Sequence, residues 1–136
     1  MKKELVAGLI IKDGRIILVH NVKYHPVRIE PPGGKRHTGE TRKEAVVREV
    51  FEEIGLSVKP GKLFGVFDTA SREGSFKVYM YLCDVVGGEP YLKEPEKIDA
   101  FGWYTIAEMK GFAAKGALAP NMVEALPELG GALSEV

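Results

Sequence analysis

Three glutamates, Glu49, Glu52 and Glu53, fall within five consecutive positions, and Gly33-Gly34 followed by Lys35, Arg36 and His37 lies a short way upstream. At about 100° per helical residue, with Ala45 as zero, Val46, Val50, Ile54, Val47 and Phe51 cover an arc of roughly 100° to 240°. On the same scale Glu52, Glu49 and Glu53 fall near roughly 340°, 40° and 80°. The apolar arc predicts a core-facing stripe. The three carboxylates are then expected on the opposite face, with small Ala45 letting another group approach. Like charges at this spacing cost a helix about 0.2–0.5 kcal/mol per pair. Arg48 can pair with Glu44 or Glu52 but cannot neutralise all three. Such a face is either simply solvated or a site for a hard divalent cation, which takes oxygen ligands. The upstream loop favours the second reading. Paired glycines let backbone approach a ligand, and their carbonyls offer neutral oxygens. Basic side chains beside metal-ligating carboxylates are what phosphoryl chemistry requires.

The elements that must position these groups can be read from pattern and punctuation. Thr41 with Glu44 makes a capping box for a helix running to Ile54, and Gly55 supplies a left-handed residue to end it. Leu5–Lys12 and Arg15–Asn21 are β-rich runs separated by Asp13-Gly14, a hairpin signal. Val22–Pro32, with three prolines, is expected to be mostly loop, with a short strand at Val27–Ile29. Gly33–Glu40 is expected to be loop. Leu63–Thr69 and Phe76–Val86 read as strands joined by a turn over Ser71–Ser75, and Ile98–Thr105 as another strand. Ala107–Lys110 suggests a helical turn, and Pro120–Leu133 a helix interrupted at Pro127. Strands, helix, strands, helix implies an α/β protein with a mixed sheet packed by helices.

The chain has 136 residues, 45% hydrophobic and 28% charged, ordinary for one globular domain spanning 1–136. Nineteen basic and nineteen acidic residues cancel, which argues against a nucleic-acid or membrane-surface partner. A single cysteine, Cys83, excludes an internal disulfide and a cysteine zinc cluster. The first apolar run, Leu5–Ile11, is too short to span a bilayer and no small-residue cleavage site follows it. The expected compartment is therefore the cytoplasm.

Gly34, Glu40, Arg48, Glu49, Val50, Glu52, Glu53, Gly55 and Leu56 match all nine positions of the Nudix box, a pattern spanning 23 residues. The sequence resembles the Nudix hydrolases, most closely over the chain before Gly111. The resemblance implies an α/β/α sandwich with the mixed β-sheet between helices. It also implies Mg²⁺- or Mn²⁺-dependent hydrolysis of a nucleoside diphosphate linked to another group. By the same resemblance Glu49, Glu52, Glu53 and the Gly33 carbonyl hold metal, and Arg48 orients a catalytic glutamate. Gly34 and Glu40 brace the loop, Glu40 with the alternative of reaching metal through water. Either Glu49 or Glu53 is the general base. Family members often carry a further carboxylate shortly before a tryptophan, for which Glu96 is the candidate and Glu94 the reserve. Lys35, Arg36 and His37 are candidates for substrate phosphate.

The Pro32-Gly33-Gly34-Lys35 start and the Glu94–Trp103 stretch resemble the nucleoside triphosphate branch. That branch yields a nucleoside monophosphate and pyrophosphate. ADP-ribose, a nucleotide sugar or a dinucleoside polyphosphate is the alternative substrate, although Ser71 and its neighbours lack the proline of many ADP-ribose enzymes, and Arg72 is not the tyrosine of some dinucleoside polyphosphate enzymes. A non-catalytic nucleotide sensor is a third reading, and the intact carboxylate set argues against it. The expected partner is a small-molecule nucleotide, with a homodimer as an allowed assembly. The base is expected among Phe67, Tyr79, Tyr81 and His25. Phe64, Phe76, Phe101 and Trp103 read as core, Cys83 as a buried strand residue and His20 as a packed histidine.

Overall fold

The computed structural model describes residues 3–71 and 74–134, so Arg72 and Glu73 of the expected turn lie outside the described residues. Seven strands, β1 (Lys3–Lys12), β2 (Arg15–Asn21), β3 (Arg28–Glu30), β4 (Gly33–Lys35), β5 (Ser57–Ser71), β6 (Gly74–Gly87) and β7 (Ile98–Tyr104), form one sheet. Three helices, α1 (Arg42–Ile54), α2 (Ile106–Ala114) and α3 (Pro120–Ser134), accompany it. The order is β3-β2-β1-β6-β5, with β4 paired to β1 and β7 to β2. β1 runs parallel to β6 and antiparallel to β2 and β4, so the sheet is mixed.

Alternation along the strands makes two cores. Ala7, Leu9, Ile16, Leu18, Val78 and Met80 face α3, where Met122, Ala125, Leu126 and Leu129 meet them. Val6, Ile10, Ile17, Val19, Tyr81 and Cys83 face α1, where Val46, Val50 and Ile54 meet them. Helices cover both faces, giving the expected α/β/α sandwich. The Asp13-Gly14 turn has φ of 52° and 73°, the two-residue geometry that matches strand twist.

Several expectations are corrected. Gly33–Lys35, expected as loop, is a strand opposite Leu5–Ala7. A Cβ on Gly33 would lie 2.0 Å from the Val6 carbonyl, so glycine lets this short strand close onto β1. β5 begins at Ser57, earlier than Leu63, because its bulges absorb Pro60 and Gly61 while it stays paired to β6. α2 extends to Ala114. α3 runs through Pro127 without interruption. Pro127 is on the exposed side, where water can satisfy the carbonyl it leaves unpaired, while buried Met122 and Leu129 hold both halves of the helix to the core.

The buried arc of α1 is also rotated from the expected one. Ala45, Val46, Val50, Glu53 and Ile54 are buried, whereas Val47 is 38% and Phe51 46% exposed. Gly8 of β1 lies beneath the helix, and a Cβ there would stand 3.1 Å from Val50 and 3.3 Å from Val46. The helix thus settles on that groove, and the strand β4 draws the Glu49–Glu53 side inward. Phe51 is left outside and covered by the Lys93 ammonium, 3.8 Å above its ring. Urea unfolding should therefore separate neighbours that the helical wheel groups together. Val50→Ala is expected to cost about 2 kcal/mol from lost burial and cavity, and Val47→Ala no more than about 0.5 kcal/mol.

Candidate active site

The site lies along the seam between β4 and α1. Thr41 caps α1 through the reciprocal box with Glu44, which sets where the helix begins and aims its next two turns at β4. Arg48 then ties the seam together. Its Nε donates to Glu40 Oε2 at 2.7 Å, and Nη2 donates to Glu40 Oε1 at 3.0 Å and to the Lys35 carbonyl at 2.9 Å. Nη1 donates to Glu49 Oε1 at 2.9 Å and, more loosely, to Glu52 at 3.3 Å. Glu40 also accepts the His37 amide at 2.8 Å. The Arg48 guanidinium and that amide hold the Glu40 carboxyl down at about 2. Both Glu40 oxygens are engaged, by Arg48 of α1 and by the His37 amide of the loop.

The two inward glutamates differ in burial. The Glu49 carboxylate occupies the space a Gly34 side chain would fill, since a Cβ there would lie 2.5 Å from Cδ. Burial raises the Glu49 pKa against the opposing pull of Arg48. Glu53 is only 1% exposed. Its Oε1 accepts the Gly33 amide at 2.8 Å. Lys97 Nζ stands at an ion-pair distance of 3.2 Å from Oε2, a buried oxygen with no other hydrogen-bond partner. Burial pushes the Glu53 carboxyl up to about 7, against Lys97 and the Gly33 amide. Glu52 is exposed at the rim.

A cleft of about 550 Å³ opens from Gly33, Gly34 and Glu49. Lys23, Arg28, Lys35 and Lys97 bring positive groups to it, His37 an imidazole, and Leu5, Tyr24, Phe76 and Val78 apolar surface. Asn21, Glu30, Thr69 and Asn121 supply polar groups. Glu30 is half-buried, desolvation raises its carboxyl pKa, and Asn21 Nδ2 donates to it at 3.1 Å. Thr69 Oγ1 is buried without a hydrogen-bond partner.

The sequence-predicted residues divide. Gly33, Gly34, Glu40, Arg48, Glu49 and Glu53 converge, and Lys35 and His37 reach the cleft. Arg36 instead pairs with Glu4 at 3.0 Å, outside it. Glu96 is exposed and lines no part of the cleft. Its neighbour Lys97 points inward because β7 begins at buried Ile98 and the Lys97 amide is tied back to the Glu94 carbonyl. The expected base-holding set is not gathered there. Tyr79 lies under Arg42 at 3.9 Å, Phe67 and Tyr81 are buried in the two cores, and His25 lines a separate cavity of about 190 Å³. Tyr24 and Phe76 occupy the cleft instead. His20 is bonded to the Tyr104 hydroxyl at 2.7 Å, and burial pushes Cys83 up to about 12. Lys97, Glu30, Asn21, Thr69 and Asn121 escaped sequence reasoning, since no local spacing connects them.

The donor set is hard oxygen, two of its carboxylates are withdrawn from solvent, and one buried oxygen has no hydrogen-bond partner besides Lys97, all of which suit a divalent cation. With Arg48 and Lys97 in contact with those carboxylates, no three acidic, histidine or cysteine side chains among the described residues close into a ligand cluster.

An α/β/α sandwich carrying a glycine-rich strand, a braced loop and a carboxylate-bearing helix defines the architectural class. The chain belongs to the Nudix family, because the profile of the NUDIX domain matches residues 2–129. It is 41% identical over 88 residues to an ADP-ribose pyrophosphatase of Methanocaldococcus jannaschii, covering 62% of this chain and 52% of that protein. It is 36% identical over 67 residues to the 8-oxo-dGTP diphosphatase of Escherichia coli, covering 49% of this chain and 52% of that one. The chain thus spans about half the length of both relatives. A Nudix hydrolase from Nitrosomonas europaea superposes with a TM-score of 0.81 at 24% identity, covering 97% of this chain and 90% of its own, a likeness of fold. Among the described residues no helix is long and apolar enough to cross a membrane.

Glu53 gives the metal-free protein a characteristic pH dependence. Its carboxyl titrates near 7 when folded against a reference of 4.5. The folded state therefore holds the proton that the unfolded state has released, so stability is full below about 4.5 and falls as pH rises toward 7. Denaturation in chelator at pH 5 and pH 8 should show wild type losing on the order of 3 kcal/mol more than Glu53→Gln.

Proposed function

We propose that this chain is a divalent-metal-dependent pyrophosphohydrolase acting on a nucleoside triphosphate, releasing a nucleoside monophosphate and pyrophosphate. The observation that carries the reading is the pair of inward carboxylates, Glu49 and Glu53, set at the Gly33-Gly34 end of a cleft with both positive and aromatic lining. A cleft of about 550 Å³ falls within the usual size of a small-molecule site, roughly 300–1,000 Å³.

Glu49, Glu52, Glu53 and the Gly33 carbonyl would hold Mg²⁺ or Mn²⁺. When bound, the metal supplies charge for the phosphate oxygens and makes water more acidic. The chain's own residues do the rest. Lys35 and His37 take phosphate oxygens at the mouth of the cleft. Arg48 holds Glu49 and the loop in register through charge-assisted hydrogen bonds. Glu53 or Glu49 accepts the proton of the attacking water, and a carboxyl raised toward neutrality by burial suits that task. Water adds to phosphorus as the anhydride oxygen leaves with the pyrophosphate or monophosphate half. Tyr24, one face of which lies under the Arg28 guanidinium at 3.8 Å, would take a base on its other face, buried Phe76 adds apolar wall, and Asn21 and Asn121 offer hydrogen bonds. A site that leaves such polar groups unpaired rejects the wrong base.

ADP-ribose is the second substrate reading, favoured by the Methanocaldococcus relative's name. The two separate in a panel of nucleoside triphosphates and ADP-ribose with Mg²⁺, scored for pyrophosphate and ribose phosphate. Higher efficiency on ADP-ribose than on any triphosphate would reverse the substrate assignment and leave the carboxylate machinery standing. A cytoplasmic location and a small-molecule rather than nucleic-acid partner belong to the same proposal.

Chelation should abolish turnover and added Mg²⁺ or Mn²⁺ restore it; turnover surviving exhaustive chelation would defeat the metal role. Glu53→Gln and Glu49→Gln should each lower kcat by about 10²–10⁴-fold with the circular dichroism spectrum unchanged. Gly34→Ala should also lower kcat, because its methyl group displaces the Glu49 carboxylate, and small misplacements of reacting groups cost about 10²-fold.

A further inference from the structure

Lys97 is the group in this site that the family pattern does not account for. The stretch before Trp103 was expected to deliver a carboxylate from Glu96, yet the residue that enters is the adjacent lysine. Its Nζ stands 3.2 Å from Glu53 Oε2, the buried oxygen with no other hydrogen-bond partner. Glu53 and Glu49 both act electrostatically on Lys97, as does Glu94 from its own connector. Lys97 also acts on Glu30 from across the cleft. The ammonium therefore sits amid carboxylates from α1, β3 and the 88–97 connector, with the fixed cation Arg48 on the far side of Glu49.

The two cations are held differently. Arg48 is fixed by bonds to Glu40, Glu49, Glu52 and the Lys35 carbonyl. Lys97 is held to Glu53 by a single ion pair at 3.2 Å. The Lys97 side chain is 31% exposed while that of Glu53 is 1% exposed, so the lysine can leave toward the cleft and the carboxylate cannot follow. A buried carboxylate without any counter-charge is strongly disfavoured. An ammonium on a flexible stem meets that need without fixing a geometry.

We propose that Lys97 is an exchangeable counter-ion: it neutralises Glu53 in the metal-free protein, yields that oxygen to the incoming divalent cation, and moves into the cleft where the substrate's phosphates arrive. The inference rests on the metal-dependent reading above. Lys97 is thus a positioning residue for Glu53. It keeps the empty site folded at the expense of metal affinity.

The test compares Mn²⁺ binding to the full chain, by electron paramagnetic resonance, in wild type, Lys97→Met, Lys97→Arg and Lys23→Met. Lys23 lines the same cleft and controls for long-range charge. Lys97→Met should bind Mn²⁺ at least ten-fold more tightly, while Lys97→Arg and Lys23→Met stay within about three-fold of wild type. In thermal unfolding at pH 8, Lys97→Met should melt lower than wild type in chelator and level with it in saturating Mg²⁺. A readout on the wild-type chain guards against a variant that fails to fold. Lysine acetylation mapped by mass spectrometry should rise at least three-fold at Lys97 on adding Mg²⁺ and stay unchanged at Lys23. Equal Mn²⁺ affinity in wild type and Lys97→Met, or Lys97 reactivity indifferent to Mg²⁺, would overturn the exchange and leave metal dependence intact. Absence of Mn²⁺ binding in every protein would overturn both.

Discussion

The Glu53 carboxylate lies inside the protein, on the sheet-facing side of α1, where burial opposes its charge. Much of the surrounding structure exists to make that placement tolerable. The Gly33 amide reaches Oε1 only because β4 closes onto β1, and β4 closes only because residue 33 has no side chain to strike the Val6 carbonyl. Lys97 faces Oε2 because β7 is anchored at Ile98 and paired along β2. The second carboxylate, Glu49, needs the bare α-carbon of Gly34. Neighbouring glycines thus serve different ends, one for backbone against backbone and the other for backbone against carboxylate.

Arg48 solves the complementary problem on the solvent side. A loop of glycine and basic residues has little to hold it by hydrophobic burial. Its position comes instead from one guanidinium shared by Glu40, Glu49, Glu52 and the Lys35 carbonyl. The bidentate contact with Glu40 fixes direction as well as distance. Removing the arginine would leave carboxylates facing one another across the seam, so the loop and the carboxylate-bearing helix are one mechanical unit. The capping box at Thr41 makes the joint between them rigid.

A helical wheel proved a good guide to α1 and an incomplete one. It placed Val46, Val50 and Ile54 inward, but it set all three glutamates on the face away from the core, whereas Glu53 is buried on the sheet side and Glu52 is exposed. It put Val47 and Phe51 in the core as well, where the folded protein keeps them at its surface. Amphipathicity identifies an apolar arc, but the neighbour determines which part of the arc is buried. Here that neighbour is Gly8 in β1 together with β4, and their shape favours the side bearing Ala45 and Glu53 over the side bearing Val47. Lys93 then shields Phe51.

What the sequence determined by itself were the features encoded within short stretches. These are the Asp13-Gly14 hairpin, the capped α1 ending at Gly55, the α/β character, and the spacing of Gly34, Glu40, Arg48, Glu49, Glu52 and Glu53 that marks the family. Such features depend on backbone preferences and helical periodicity, which act over a few residues. Tertiary structure alone decided that Lys97 rather than Glu96 enters the site, that Tyr24 and Phe76 rather than Tyr79 and Tyr81 line the cleft, and that Glu30 meets Asn21 at its wall. Each of those outcomes turns on which side of a strand or loop faces inward. A strand's register against its partners sets that, and the partners lie tens of residues away along the chain. The Glu53 carboxyl's displacement toward neutral pH has the same origin, since desolvation depends on everything packed around a group and not on the residues beside it in sequence.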